Sequence, residues 1–189
     1  MARITHKEYS DYLQKRSLWG DIYRKYYLYP ILCRHLSGKV LDVGCGIGDF
    51  LRYYPNAVGL DINSHNIRYC KNKGLSAFLI ENSLFPFPDL SFNGVVLDNV
   101  LEHLEDPSMT ISEIHRVLNK NGALIVGVPG PAGYNSDPDH KQFYDQDSLA
   151  GLFFNYGFKM TKVMDLPFRM HYAKKRLRQY CIYAIFNKS

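Results

Sequence analysis

From residue 38 onward the chain alternates short apolar runs with stretches of helical periodicity. The runs 39–43 (KVLDV), 57–61 (AVGLD), 76–80 (SAFLI), 93–98 (NGVVLD) and 123–128 (ALIVGV) predict strands. Each is apolar on both faces, the pattern of a parallel sheet covered by helices on either side. Between and after them, 48–54, 64–73, 108–119 and 146–156 predict helices, the second with Ser64 as N-cap and Gly74 as its stop. NKNGAL at 119–124 reads as a helix end and a turn into a central strand. Residues 81–92 (ENSLFPFPDLSF) carry two prolines and predict a loop running over the sheet. Two more strands are expected at about 158–166 and 178–186, flanking the basic segment HYAKKRLRQ.

Residues 7–37 have a different texture. Tyr9, Tyr12, Leu13 and Ser17, then Ile22, Tyr26 and Tyr29, recur at helical spacing, punctuated by Gly20 and Pro30. The aromatics Trp19, Tyr23, Tyr26, Tyr27 and Tyr29 suit either core packing or a lid over a site. The chain thus divides into an N-terminal helical segment, 1–37, on the substrate side, and a main body, 38–189, within one compact domain.

Composition narrows the classes. A hydrophobic share of 46% supports a packed core and argues against disorder. The formal charge of +5 is a modest excess, compatible with an anionic acceptor but short of the strongly basic range of nucleic-acid binders. Cys33, Cys45, Cys70 and Cys181 form no CxxC pair, so neither a zinc ribbon nor a redox motif is supported, and no metal set is expected. Such scattered cysteines read as reduced intracellular thiols. MARITHKEYSDYLQKR is no secretory leader, and no apolar run approaches the ~18 residues of a membrane helix, so a cytoplasmic location is expected.

Candidate chemistry concentrates in VLDVGCGIGDF, 40–50. A strand, then Gly44, Gly46 and Gly48, then a helix sets backbone N–H groups at the carboxyl edge of a sheet, where open α/β folds bind ligands. The spacing is not the dinucleotide fingerprint. The third small position of G-x-G-x-x-G falls on Asp49, and an acid beside two phosphates is poor electrostatics. Asp42 favours a cationic group, while the N–H groups receive a carboxylate, so the ligand carries an amino-acid end. Asp61, closing the second strand in GLDIN, is placed to accept hydrogen bonds from both hydroxyls of a ribose.

VLDVGCGIG, GLDI and SFNGVVLDNVLEHLEDP…EIHRVLNKNGALIVGVP resemble the class I S-adenosylmethionine-dependent methyltransferases, the small single-domain bacterial and archaeal type, over about 38–160. The resemblance implies a Rossmann-like, doubly wound α/β fold: a mostly parallel seven-stranded sheet with helices on both faces. It implies S-adenosyl-L-methionine as cofactor, with the methionine end held by Asp42, Gly44, Cys45, Gly46 and Gly48, and the ribose by Asp61 with Ile62 beside it. Asn82 and Ser83 match the position that reads adenine, and Asp98 to His103, including Asn99, the loop lining the methyl-donor pocket. Two departures stand out. Asn93 replaces the acid that often starts the fourth strand, a turn or capping change, and Asn121 replaces a glycine, which suits the left-handed conformation.

Methyl transfer needs a base only when the acceptor must lose a proton. His103 and His140 are the candidates. The alternatives are a histidine holding a helix start and an exposed loop histidine, respectively. Tyr134, Asp139 and Tyr144 are weaker acceptor-side candidates, and His115 reads as solvated. The expected function is methyl transfer to an O or N atom of a small-molecule or glycan-precursor acceptor, in a monomer or homodimer with no transmembrane segment. Nucleic acid is disfavoured as partner. The other readings are a donor-binding module without turnover, serving as a regulatory or partner subunit, and an RNA or protein methyltransferase.

Overall fold

The computed structural model describes residues 5–15, 17–81, 84–167 and 180–188. Asn82, Ser83 and the HYAKKRLRQ segment lie outside them. Three short helices come first: α1 (His6–Gln14), α2 (Leu18–Tyr23) and α3 (Tyr29–Cys33), the last two joined by a π-helical turn at Arg24–Leu28. Thr5 and Glu8 form a capping box at the start of α1. Gly20 sits inside α2 rather than ending it, and Pro30 lies in the first turn of α3, where its missing N–H costs nothing.

The body then alternates β1 (Val40–Val43), α4 (Asp49–Tyr53), β2 (Ala57–Asp61), α5 (Ser64–Asn72), β3 (Ala77–Leu79), β4 (Phe92–Asp98), α6 (Ser108–Val117) and β5 (Leu118–Pro129). A short α7 (Pro131–Tyr134), α8 (Gln146–Phe154), β6 (Phe158–Leu166) and β7 (Cys181–Lys188) complete it. The strands form one 7-stranded sheet in the order β3-β2-β1-β4-β5-β7-β6. β1 to β5 pair in parallel, and β7 runs antiparallel between β5 and β6. The order reverses at β1, so the carboxyl ends of β1 and β4 open a crevice where ligands bind in such sheets.

Alternation along each strand feeds two cores. Leu41 and Val43 join Ile111, Ile114, Leu149 and Phe153 under α6 and α8. Val40 points the other way, to Leu32, Phe50 and Ile67 under α3, α4 and α5. Asp42 shares that second face, which places its carboxyl beneath the N-terminal helices.

The strands stand where the apolar runs predict them, with one boundary moved. The helix expected over 108–119 ends at Val117, and Leu118 already pairs with Phe92 as the first residue of β5. Leu118 is fully buried and folds back onto Gly122, whose added Cβ would meet the Leu118 side chain at 2.5 Å. The turn at NKNG is therefore a bulge within β5. Asn121 is not left-handed, since Leu90 and Asn99 are the described non-glycine residues with positive φ. Asn63 rather than Ser64 caps α5, accepting from His65 N at 3.0 Å, while Gly74 does close it with φ +72. Asn93 serves as a turn clamp, its Oδ1 accepting from Lys39 N at 3.1 Å.

The loop after β3 is stapled to α6. Arg116 donates to Phe85 O, Phe87 O, Asp89 and Glu113, and Glu113 in turn accepts from Phe85 N at 2.7 Å. Arg116→Ala should cost about 2 kcal/mol, the scale of lost charge-assisted hydrogen bonds. Urea denaturation measures it; a cost near zero would show that Phe85 and Phe87 hold the loop by packing alone.

Candidate active site

The glycine stretch forms a tight loop between β1 and α4. Gly44, Gly46 and Gly48 all have positive φ, +78°, +52° and +78°. A Cβ on Gly44 would lie 2.2 Å from Val100 Cγ2, so neither backbone nor space admits a side chain there. Gly44 N and Cys45 N donate to Leu60 O at 2.7 and 2.9 Å, which anchors the loop to β2. Gly46 N donates to Asp61 Oδ2 at 2.8 Å. Asp61 also accepts from Asn63 N at 2.7 Å and Asn66 Nδ2 at 3.3 Å. The ribose candidate is thus first a brace of the loop, 7% exposed, with one acceptor lobe still open. Ile62 beside it is 65% exposed, a bare apolar face at the strand end.

A cavity of about 950 Å³ runs from this loop under α1, α2 and α3 to the loops after β4 and β5. Asp42, Gly44, Cys45, Gly46 and Asn99 border it, whereas Gly48, Asp61 and Ile62 lie outside its lining. Burial, the Asp98 carboxylate and Asp61 hold the Asp42 carboxyl well above the usual range. Among the described residues no donor reaches it, so a cationic ligand group is its natural partner. Asp98 itself accepts from Tyr183 OH at 2.9 Å and Asn99 Nδ2 at 2.8 Å. Asn99 holds φ +53°, turning the chain into a 3-10 turn at Leu101–His103.

That turn brings Glu102 and His103 to the far end of the cavity, and the loop after β5 brings His140. The two histidine rings sit 4.7 Å apart. Tyr134 stacks on His140 at 5.4 Å, and its carbonyl lies 2.8 Å from His140 Nδ1. A carbonyl only accepts, so Nδ1 carries a proton, and in the neutral ring the lone pair is on Nε2. Burial and the neighbouring His140 keep His103 below the usual histidine range. Both side chains line the cavity, and the His140 ring is largely buried rather than exposed. His115 is half-buried against Phe158 at 5.3 Å rather than solvated.

Two groups escape a reading of the sequence. Glu102 is 1% exposed, and neither carboxylate oxygen has a hydrogen-bond partner. Burial, with Asp98 and Asp137 nearby, pushes it up to about 8. Arg24, on the π-helical turn, enters the cavity with its Nε buried and 3.6 Å from Asp49 Oδ2. Glu102 falls within the Asp98 to His103 loop that the resemblance implies, but nothing in NVLEHL marks it as a buried, unpartnered acid. Arg24 lies among other basic residues, with no motif to set it apart.

Among the N-terminal aromatics, Tyr9, Tyr12, Tyr23, Tyr27 and the buried Tyr29 border the cavity, and Trp19, 80% exposed, stands at its mouth. Leu13 of α1 lies against the glycine loop, 3.2 Å from where a Gly46 Cβ would be, and His6 O accepts from Asn63 Nδ2 at 2.7 Å.

The residues present fit the methionine end of a sulfonium nucleoside. Gly44 and Gly46 border the cavity, the Asp42 carboxyl there suits an ammonium, and the Arg24 guanidinium can meet a carboxylate. A parallel sheet with one reversed strand and this loop after β1 are the architecture of the class I S-adenosylmethionine-dependent methyltransferase fold. Residues 41–126 match the family described as methyltransferase domain. An uncharacterized protein of Methanocaldococcus jannaschii is 28% identical over 123 residues, 64% of this chain and 60% of its own. The chain thus spans less than two thirds of that relative's length. A Thermotoga maritima structure, described as a possible histamine N-methyltransferase, superposes with TM-score 0.75 at 18% identity, covering 96% of this chain and 98% of its own. A putative Haloferax volcanii methyltransferase, solved with its Trm112 activator, gives 0.73 at 15% identity over 100% and 99%. The cofactor of the family is S-adenosyl-L-methionine. No helix among the described residues is long and apolar enough to cross a membrane.

Proposed function

We propose that the chain methylates an O or N atom of a small-molecule or glycan-precursor acceptor. The observation that carries this reading is one continuous cavity, bordered by Asp42 and the glycine loop at one end and by His103 and His140 at the other. When bound, S-adenosyl-L-methionine supplies a methyl group already activated on sulfur, whose C–S bond breaks with the electron pair staying on sulfur. The protein's part is placement and the handling of one proton. Asp42 pairs with the ammonium, Arg24 with the carboxylate, Asp61 with the ribose and Ile62 with the flat face of the adenine; the amides of Gly44, Cys45 and Gly46 are spent on Leu60 O and Asp61. Asn82 and Ser83 are assigned to the adenine edge. Helices α1 to α3 cover the cavity as its acceptor wall, where Tyr12, Trp19 and Tyr23 offer flat surfaces to an acceptor ring. His140, with its Nε2 lone pair inward, can take a proton from an acceptor hydroxyl or ammonium.

Calorimetry with S-adenosyl-L-methionine and with its demethylated product should give one site of micromolar affinity. Affinity should fall as the pH drops, because the ligand's ammonium needs Asp42 ionised and Asp42 holds its proton unusually strongly. No heat from either ligand in folded protein would end the assignment. Donor binding with no methylated product from a broad acceptor panel would favour the partner-subunit reading instead.

A further inference from the structure

We propose that Glu102, His103 and His140 bind one divalent first-row transition-metal ion at the acceptor end of the cavity. One ligand atom from each of the three lies within 4.8 Å of the others. Three cis ligands at bond lengths near 2.1 Å stand about 3 Å apart, so a modest side-chain contraction closes the set. Glu102 is free to make it, because its two buried oxygens have no hydrogen-bond partner. Such a group is costly to keep dry, and a cation is what offsets that cost.

His140 is held as a ligand would be. Its Nδ1–H is fixed by Tyr134 O at 2.8 Å, which aims Nε2 at Glu102 Oε1, 3.9 Å away. Metal-bound histidines characteristically donate their second nitrogen to such a carbonyl. Asp137 Oδ2, 4.0 Å from the same Nε2, stands at the rim as the oxygen of a fourth ligand. Two imidazoles and one carboxylate favour Mn(II), Fe(II), Co(II) or Zn(II) over Mg(II) or Ca(II), which prefer oxygen. The remaining coordination positions face the cavity, so the ligand class is an acceptor oxygen, a hydroxyl or phenol. The ion, which occupies the His140 Nε2 lone pair and so replaces that histidine as the means of deprotonation, lowers the group's proton affinity, and the proton passes to water with no other co-reactant. This role for the ion rests on the methyl-transfer reading; the metal site itself does not.

The test uses untagged protein stripped with chelator, then titrated with Mn(II) and followed by loss of the free-ion paramagnetic resonance signal. One Mn(II) per chain is expected. Both Glu102→Gln and His140→Ala should weaken binding at least tenfold with unchanged circular dichroism, and His115→Gln should leave it unaltered. Co(II) should give a visible spectrum of imidazole ligation that Glu102→Gln changes. Folded wild-type protein that leaves the Mn(II) signal intact overturns the site, as does binding indifferent to both variants. Calorimetry with the demethylated donor on the same sample separates the two readings. Donor binding without metal binding removes the ion alone; metal binding without donor binding removes its role in methyl transfer.

Discussion

Asp61→Ala is expected to weaken donor binding roughly tenfold or more and to cost about 2–4 kcal/mol of stability at once. A residue that only gripped the sugar would affect binding alone. Here Asp61 also accepts from Gly46 N, Asn63 N and Asn66 Nδ2, so truncation strands two buried main-chain donors. Asn63 N belongs to the cap of α5, and Gly46 N fixes the middle of the glycine loop. Losing both frees the loop from β2 on the side facing the donor. Urea midpoints and calorimetry on the same preparation check the pair. Weaker binding with unaltered stability would show that the loop does not depend on this carboxylate.

Glu102→Gln should stabilise the metal-free protein, by about 2–4 kcal/mol at pH 8.5 and by little at pH 4.5. Glu102 is pushed up to about 8 in the fold, from an ordinary value of 4.5. The unfolded chain releases this proton at the lower value and the folded chain holds it to the higher. The unfolded state therefore binds fewer protons in between, and wild-type stability falls as pH rises from 4.5 to about 8. Each tenfold change in proton affinity is worth about 1.4 kcal/mol, discounted here for relaxation of the site. Glutamine keeps the shape without the charge. Denaturation across that range, with chelator present, should show the two curves diverging upward in pH. Parallel curves would mean that Glu102 ionises freely in the folded chain. A gain in stability on neutralising one buried group is what a residue retained for function produces.

The sequence shows the sheet well because its strands are apolar on both faces and carry Asp42, Asp61 and Asp98 at or next to their carboxyl ends. It shows the glycine loop because three positive-φ positions tolerate little else. It misjudges Leu118, where a helix former opens a strand because a glycine four residues on leaves room for it. It misses Arg24 because its entry into the cavity depends on a π-helical turn, which shifts the register of every side chain beyond it. Glu102 is missed for a different reason: the turn that buries it is made by Asn99 in a left-handed conformation, and the residues that crowd it arrive from the loop after β5. His103 and His140 are each visible, but their meeting at 4.7 Å is a property of two loops at one sheet edge, not of any spacing.

The position of β7 has a consequence for biosynthesis. This strand is the last described part of the chain to leave the ribosome, yet it lies inside the sheet, between β5 and β6. Until Cys181–Lys188 emerges, β5 presents a bare hydrogen-bonding edge flanked by Ile125, Val126 and Val128, the kind of template that recruits foreign strands. The nascent protein is therefore most vulnerable to aggregation late in translation, and a premature stop within β7 leaves that edge permanently uncapped.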